Sequence, residues 1–503
     1  MTNVYNPYLV VLERNLPRVL SLVSRDSLGN SLGVADRRFW AWKTVDFPNA
    51  SMQSLAGGFA RLSKRSNLSD SFRNVDYAVI AKELIHAIGP MTSRNGGLAE
   101  AFPGEDSFCV TGQVLSEAMD ALTVLEESLT PDEIQNCLDL LSPLALFLLR
   151  HDETHGVISN HLATSALALV RWGIRTGDAK AIQRAQSFIG RVNRFASHEG
   201  WFLEYSGPDP GYQTWAISSL TQIFEEAPGL VNSDLIASGM KFLAPFALAN
   251  GSFANGAGAR LTSFLMTIGP ELMANSSAEA AFLAGFARKH VPHRRFVSLD
   301  AVDEPNIAPF FNDVVRSAEL FDTTPTLHPS FSQAEVSDFT EGGLYVRHGG
   351  SRSLVVSALR GGWFCVAEEG KTTAVHSEPV FEASRERLFV ARAATEVKVR
   401  ASSITVRAKI QRFRPNSQSP LKLLILRMFM FTLGKWRPPR EYLKRLLSRY
   451  LLTRQEKPVG VSERTVDLQT GKVKDEVQSI LELSQREIVG APHHMASYGY
   501  WRY

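Results

Sequence analysis

Two short stretches of the chain carry side chains able to bind an anion and move a proton. The first is Ser159-Asn160-His161, which opens onto an apolar run through Leu162, Ala166 and Leu167. The second is Glu204-Tyr205-Ser206-Gly207-Pro208-Asp209-Pro210-Gly211-Tyr212-Gln213, which opens onto a run through Trp215. An amide beside an imidazole suits hydrogen bonding to a carboxylate, or its neutralisation. A tyrosine can give or take a proton when nearby cations lower its pKa. Arg260, in Gly258-Ala259-Arg260-Leu261-Thr262, is read as opening another helix and adding positive charge, and Glu204 as orienting a partner or a hydroxyl. Each residue also has a plainer reading. Asn160 makes a good helix N-cap, His161 in a first helical turn is commonly a surface residue, and Tyr212 can simply pack. Pro208, Pro210 and Gly211 are first of all turn formers.

The elements that must position these residues are helical. Ala118 to Leu125, Cys137 to Leu149, Leu162 to Ile174, Ala181 to Phe195 and Trp215 to Phe224 all carry apolar residues at helical spacing. Four glycine loops can be laid over one another: Asn95-Gly96-Gly97-Leu98, His155-Gly156-Val157-Ile158, Glu199-Gly200-Trp201-Phe202 and Asn250-Gly251-Ser252-Phe253. Their spacing of about 44 to 60 residues is that of a helical hairpin with its loops, the mark of a repeat architecture. Hairpins set around an axis place alternate loops on one rim. The spacing therefore predicts that Asn160, His161, Tyr212 and Arg260 meet there.

The character changes near Pro325. Gly343 to Arg347, Ser353 to Ala358, Trp363 to Ala367 and Arg387 to Ala391 are short and β-prone. Val397 to Ile410 reads as a hairpin about Ser402-Ser403, and Glu463 to Val477 as another about Thr470-Gly471. The expected fold class is α+β multidomain: an incomplete (α/α) toroid over residues 1–320, then an antiparallel β-sandwich over 321–503, half-buried. A basic amphipathic helical insertion interrupts the second part at about 419–454. It holds nine Lys or Arg and one acid, Glu441, with Leu443, Leu446, Leu447, Tyr450 and Leu451 on one helical face and Lys444, Arg445 and Arg449 beside it. Such a segment suits an anionic membrane surface. The plainer reading, and the one favoured, is an excursion whose leucines pack on the helices while its charges stay in water.

Taken together, the repeat spacing, the adjacent Asn160-His161, the Gly207-Pro208 to Gly211-Tyr212 loop and the trailing β-region resemble the heparinase II/III family. The likeness is closest to uncharacterised members encoded with bacterial surface-polysaccharide genes. It is carried also by Phe39-Trp40-Ala41-Trp42-Lys43 with Asp46-Phe47-Pro48, and by Phe102-Pro103-Gly104-Glu105-Asp106-Ser107-Phe108. The resemblance implies a polysaccharide lyase, which cleaves uronic-acid-containing chains by β-elimination. Removing the proton beside a uronate carboxylate builds up a second negative charge, so that carboxylate must be neutralised. A base at C5 and an acid at the departing O4 are also needed. By resemblance Asn160 and His161 bind the carboxylate and Tyr212 is the acid/base, with Arg260, Glu204 and His376 binding substrate. The family also implies a histidine from the β-region, for which His348 and His376 are the candidates. A uronate C5-epimerase would share the proton abstraction, and a non-catalytic glycan-binding or scaffold protein of polysaccharide assembly would use the same surface.

Bulk properties narrow the classes. With 44% hydrophobic and 21% charged residues the chain has the composition of a folded protein. A net charge of +3 is too small for a dedicated nucleic-acid binder. Cys109, Cys137 and Cys365 fit neither a disulfide framework nor a zinc spacing, so no metal or cofactor is expected and a reducing compartment is the simpler reading. No secretory signature or long uncharged apolar run is found. The expected setting is cytoplasmic, with peripheral contact at the inner face of the membrane as the alternative the basic insertion opens, an acidic polysaccharide or lipid-linked glycan as partner, and no nucleic acid.

Overall fold

The computed structural model describes residues 5–41, 45–154, 156–327, 331–384, 387–413, 419–448 and 456–486. Twelve principal helices come first: α1 (Pro7–Leu20), α2 (Leu55–Leu62), α3 (Tyr77–His86), α4 (Phe108–Leu125), α5 (Pro131–Arg150), α6 (Ser159–Thr176), α7 (Ala179–Arg194), α8 (Pro210–Glu226), α9 (Ser233–Leu243), α10 (Ile268–Met273), α11 (Ala278–His290) and α12 (Ile307–Thr323). The even-numbered helices touch one another in succession, and α12 returns to α2, so the series of contacts closes. Behind them, α3, α5, α7, α9 and α11 each pack on the helix before, and α1 packs on α12.

The two sets of helices differ in sequence for a physical reason. In α7 only Ala181, Ala185, Phe188, Ile189 and Val192 are buried, one stripe at helical spacing on an otherwise solvated helix. In α4 burial runs around the helix, from Phe108 and Val110 through Val114, Leu115 and Ala118 to Leu122. The segment Phe108–Ser128 is apolar and long enough by composition to span a bilayer, yet 78% of its apolar window is buried within the fold.

Three of the four glycine loops are built alike. Gly96, Gly200 and Gly251 take φ of +85°, +90° and +87°. Each loop is closed by the same pair of backbone bonds, such as Ser93 N to Gly97 O with Gly96 N to Ser93 O, and Ser197 N to Trp201 O with Gly200 N to Ser197 O. A Cβ at Gly96 or Gly200 would lie 2.2 or 2.3 Å from the carbonyl oxygen of Pro143 or Ser238, on the next outer helix. Only glycine fits both demands. The fourth loop differs, because Gly156 is extended; its His155 lies outside the described residues.

A two-residue hairpin, β1 (Leu203–Glu204) with β2 (Gly207–Pro208), sits between α7 and α8. After α12, strands β3 (Val336–Phe339), β4 (Leu344–Gly349), β5 (Arg352–Ser357), β6 (Trp363–Glu368) and β7 (Ala374–His376) form an antiparallel sheet in that order. Strands β8 (Val380–Ala383), β9 (Arg387–Val399), β10 (Ser403–Arg412), β11 (Gly460–Asp467), β12 (Val473–Ser479) and β13 (Ser484–Arg486) form a second, ordered β12-β11-β10-β9-β8-β13. The β9–β10 and β11–β12 hairpins place Val399 opposite Ile404 and Val466 opposite Val473.

Strand alternation divides the first sheet between two cores. Leu344, Val346, Val355, Trp363, Cys365 and Ala367 join the core of the helices. Tyr345, Leu354, Val356 and Phe364 instead pack on Ile404, Val406 and Val466 of the second sheet. The first sheet is therefore covered on both faces. This is why β5 and β6 read as apolar runs, and the half-buried alternation expected of the whole β-region holds only for strands such as β10. At the junction, the Glu199 carboxylate accepts from the backbone N–H groups of Glu341 and Gly342, both at 2.9 Å. His348 belongs to this junction too, its ring nitrogens 2.9 Å from Ser353 Oγ and Pro245 O.

The insertion forms α13 (Pro420–Phe431) and α14 (Arg437–Ser448). Pro438 and Pro439 lie in the first turn of α14, where a missing N–H costs little. The expected packing is inverted. Arg440 and Lys444 are the buried residues of α14, while Leu446 is 51% exposed. The reason lies in the loop ahead of α4: Arg440 pairs with Asp106, and Lys444 Nζ lies 3.4 Å from Glu105. Arg449, Tyr450 and Leu451 lie outside the described residues.

Candidate functional site

The site begins at the N-terminus of α6. Ile158 precedes the helix and has no capping side chain. The free N–H groups there are met by Glu204 from the following repeat, whose Oε1 accepts from Asn160 N and Asn160 Nδ2, both at 3.0 Å. Backbone bonding reinforces the join, with Tyr205 N donating to Val157 O at 3.0 Å and Ser159 Oγ to Leu203 O at 2.8 Å. Asn160 is thus the second helical residue, not the cap, and its amide is turned toward Glu204. The neighbouring His161 holds Nδ1 2.7 Å from Glu153 Oε2, with its side chain 19% exposed above a buried Glu153.

A second buried carboxylate, Asp209, sets Tyr212 beside Arg260. It caps α8 by accepting from Tyr212 N at 3.2 Å, accepts from Arg260 N at 2.8 Å, and takes the Thr262 hydroxyl. A Cβ on Gly258 would come within 2.5 Å of Asp209 Oδ2, so this approach requires glycine. Arg260 consequently lies in a turn ahead of α10, with Leu261 in left-handed backbone (φ +60°), and does not open a helix as its sequence context suggested.

These two carboxylates bring four of the proposed residues together. The Arg260 guanidinium lies 4.8 Å from the Tyr205 ring centre and 4.4 Å from that of Tyr212. Its Nη2 is 3.4 Å from the Tyr212 hydroxyl and its Nη1 3.9 Å from Glu204 Oε2. Arg260 Nε and Nη1 make no hydrogen bond. Tyr212 is half-buried, its ring 6.4 Å from Trp215 and 5.4 Å from Phe264 between centres. Asn160, Glu204, Arg260 and Tyr212 therefore form one continuous chain of contacts, with His161 on the adjoining residue of α6.

Burial dominates the electrostatics. It pushes the Glu204 carboxyl up to about 8, outweighing Arg260 and the Asn160 donors that favour the anion. It also raises Asp209, against the hydrogen bonds from Thr262, Tyr212 and Arg260. For Arg260 burial opposes the charge, but Tyr212, Tyr205 and Glu204 more than restore it. Arg260 thus stays charged beside the Tyr212 hydroxyl.

His376 is not brought to this cluster. It stands opposite Phe364 in the β6–β7 pairing and stacks on that ring at 4.2 Å. Phe364 faces the second sheet, so strand geometry carries His376 to the side away from the helices. The substrate-binding role given to it from sequence is withdrawn. Conversely, Glu153, Tyr205 and Asp209 belong to the site without having been singled out. Asp209 before Pro210 carried a signal, an N-cap followed by proline at the first helical position. The left-handed φ of +60° at Tyr205 and the placement of Glu153 carried none. Among the described residues, no group of three or more His, Cys, Asp or Glu is arranged to hold a metal ion.

No protein-family model matches the chain, and no curated protein matches it. Solved structures do. Paenibacillus xanthan lyase superposes with a TM-score of 0.50 at 10% identity, over 82% of this chain and 46% of that one. The chondroitin AC lyase of Streptomyces coelicolor A3, in complex with chondroitin sulphate, gives 0.50 at 11% identity, over 82% and 67%. The fold is polysaccharide lyase-like. A heparinase III structure gives 0.42 at 10% identity, over 82% and 75%, and adds no weight of its own. The chain spans about half the length of the xanthan lyase it matches.

Proposed function

We propose that this protein is a carbohydrate-active enzyme that cleaves a uronic-acid-containing polysaccharide by β-elimination at Tyr212. In this reading the closed series of helices is a complete (α/α) toroid, where the sequence suggested an incomplete one, and the two facing sheets are a β-sandwich. The observation that carries the proposal is the Arg260 guanidinium over the Tyr212 ring and 3.4 Å from its hydroxyl, with Nη1 and Nε not hydrogen-bonded. Arg260 keeps 16% of its side chain exposed, which suits a uronate carboxylate, and a phenolate formed on Tyr212 would face the same cation. Tyr212 Oη, ionised beside Arg260, takes the proton from C5 and returns it to O4 as the C4–O4 bond breaks and a C4–C5 double bond forms. His161, partly exposed and oriented by Glu153, stands as a second proton-transfer or carboxylate-binding group. Asn160 acts through Glu204, holding that carboxyl beneath Arg260.

Incubation with a panel of acidic polysaccharides tests the reading. Lyase action produces the ultraviolet absorbance of an unsaturated uronate. Solvent deuterium entering C5 without cleavage would instead identify the epimerase. Glycan binding with neither signal, and unchanged by Tyr212→Phe, would leave a non-catalytic protein of polysaccharide assembly.

A further inference from the structure

The α13–α14 hairpin turns Arg440 and Lys444 inward and many of its apolar side chains outward. On α13 and the turn after it, Leu421, Leu424, Ile425, Met428, Phe431 and Trp436 are each more than half exposed. Only Met430 of α13 is buried. This is the reverse of a water-facing helical hairpin, in which apolar faces are buried and charges solvated.

The arrangement is held by specific pairs at places the sequence had already marked. Arg427 donates to Asp46 at 2.8 Å and lies 5.3 Å from the centre of the Phe47 ring. Arg440 pairs with Asp106, and Lys444 contacts Glu105 and stands 5.8 Å from the centre of the Phe102 ring. Glu441 accepts from Thr154 Oγ1 at 2.6 Å, one residue from the Glu153 that orients His161. The two motifs around Asp46 and around Glu105-Asp106 thus serve as sockets for the hairpin. Its outward apolar side is fixed by ion pairing on the opposite side, next to the candidate site.

We propose that this outward side docks on an anionic lipid bilayer. The charge pattern selects that occupant: among the described residues of the hairpin the exposed charges are all positive, on Lys422, Lys435 and Arg445, while its one acid, Glu441, is turned to Thr154. Trp436 and Tyr442, 66% and 70% exposed, stand among the leucines as amphipathic rings do at a headgroup boundary. Apolar burial supplies the insertion and the cations supply the preference for anionic headgroups.

The test is co-sedimentation of the full chain with vesicles of phosphatidylcholine alone and of equimolar phosphatidylcholine and phosphatidylglycerol. Wild type is expected to partition onto the anionic vesicles and to lose binding as salt rises. Leu424→Asp with Met428→Asp should reduce partitioning about tenfold or more, without lowering the melting temperature, since both side chains already face out. A second variant, Lys435→Glu with Arg445→Glu, should abolish the preference for anionic over neutral vesicles, and serves if the first fails to fold. Absence of binding by wild type at low salt overturns the proposal, as does equal binding by wild type and the apolar variant. A wild-type dimer that dissociates in the apolar variant and ignores vesicles also overturns it, and assigns the face to a second copy of the chain.

Discussion

The Arg260 guanidinium is stacked 4.4 Å from the Tyr212 ring centre, and a single buried carboxylate, Asp209, holds the backbone N–H of both residues. The pair is thus fixed from below by the backbone, and only its side-chain tips remain for a ligand.

Tyr212→Phe should lower turnover of the cleaved glycan by about 10²- to 10⁴-fold, the usual worth of a proton-transfer group. The ring keeps its contacts with Trp215 and Phe264, so the melting temperature should barely move. Full activity in the folded variant would remove Tyr212 from the chemistry.

Arg260→Lys retains the charge but not the flat fork that reaches Tyr212 and Glu204 while lying against two rings. The rate should fall by about 10- to 100-fold, measured on the same substrate, with binding of the uronate chain weakened as well. A variant as fast as wild type would show that a point charge suffices there.

Glu204 makes stability depend on pH. Its folded-state carboxyl, pushed up to about 8, keeps a proton that the unfolded chain has already lost above the ordinary carboxyl range. Its contribution is therefore complete at acid pH and is lost as pH rises through about 8, by about 1.4 kcal/mol per pH unit at most. Glu204→Gln keeps an acceptor for Asn160 and removes this titration. Melting temperatures followed from about pH 5 to pH 8 should decline less steeply in the variant than in wild type. Parallel curves would mean that Glu204 stays ionised.

Asp209→Ala withdraws a helix cap and two further accepted bonds from a fully buried position. Unfolding in urea should show a loss of about 2–4 kcal/mol. Activity should fall together with stability, because Tyr212 and Arg260 lose their common support. A stable but inactive Asp209→Ala would point to direct participation in the reaction.

Much of the helical region was legible because helical periodicity is local. The run from Leu162 to Ile174 falls within α6, and that from Ala181 to Phe195 starts two residues inside α7 and ends one residue past it, at its C-cap. Three glycine loops were equivalent as well as similar, since each needs a left-handed residue in close contact with the next outer helix. The fourth was similar in letters only. Both β-hairpins were readable from alternation about a polar turn. The double coverage of β5 and β6 was not, because a run buried on both faces has no alternation to read.

The residue types of the site and their one-repeat spacing belong to the sequence alone, and so does the basic, leucine-rich character of residues 419–454. Which of those residues meet was decided by contacts between distant segments. Asn160 finds Glu204 44 residues away, Arg260 finds Tyr212 48 residues away, and Arg440 finds Asp106 across 334. His376 looked as suitable as Arg260 until strand pairing set it on the far face of its sheet. In the insertion, local pattern specified an amphipathic helix but not which side would face inward. Acids on remote loops settled that, because a buried cation is tolerated only where a carboxylate meets it, and Glu105, Asp106 and Asp46 lie beneath the hairpin.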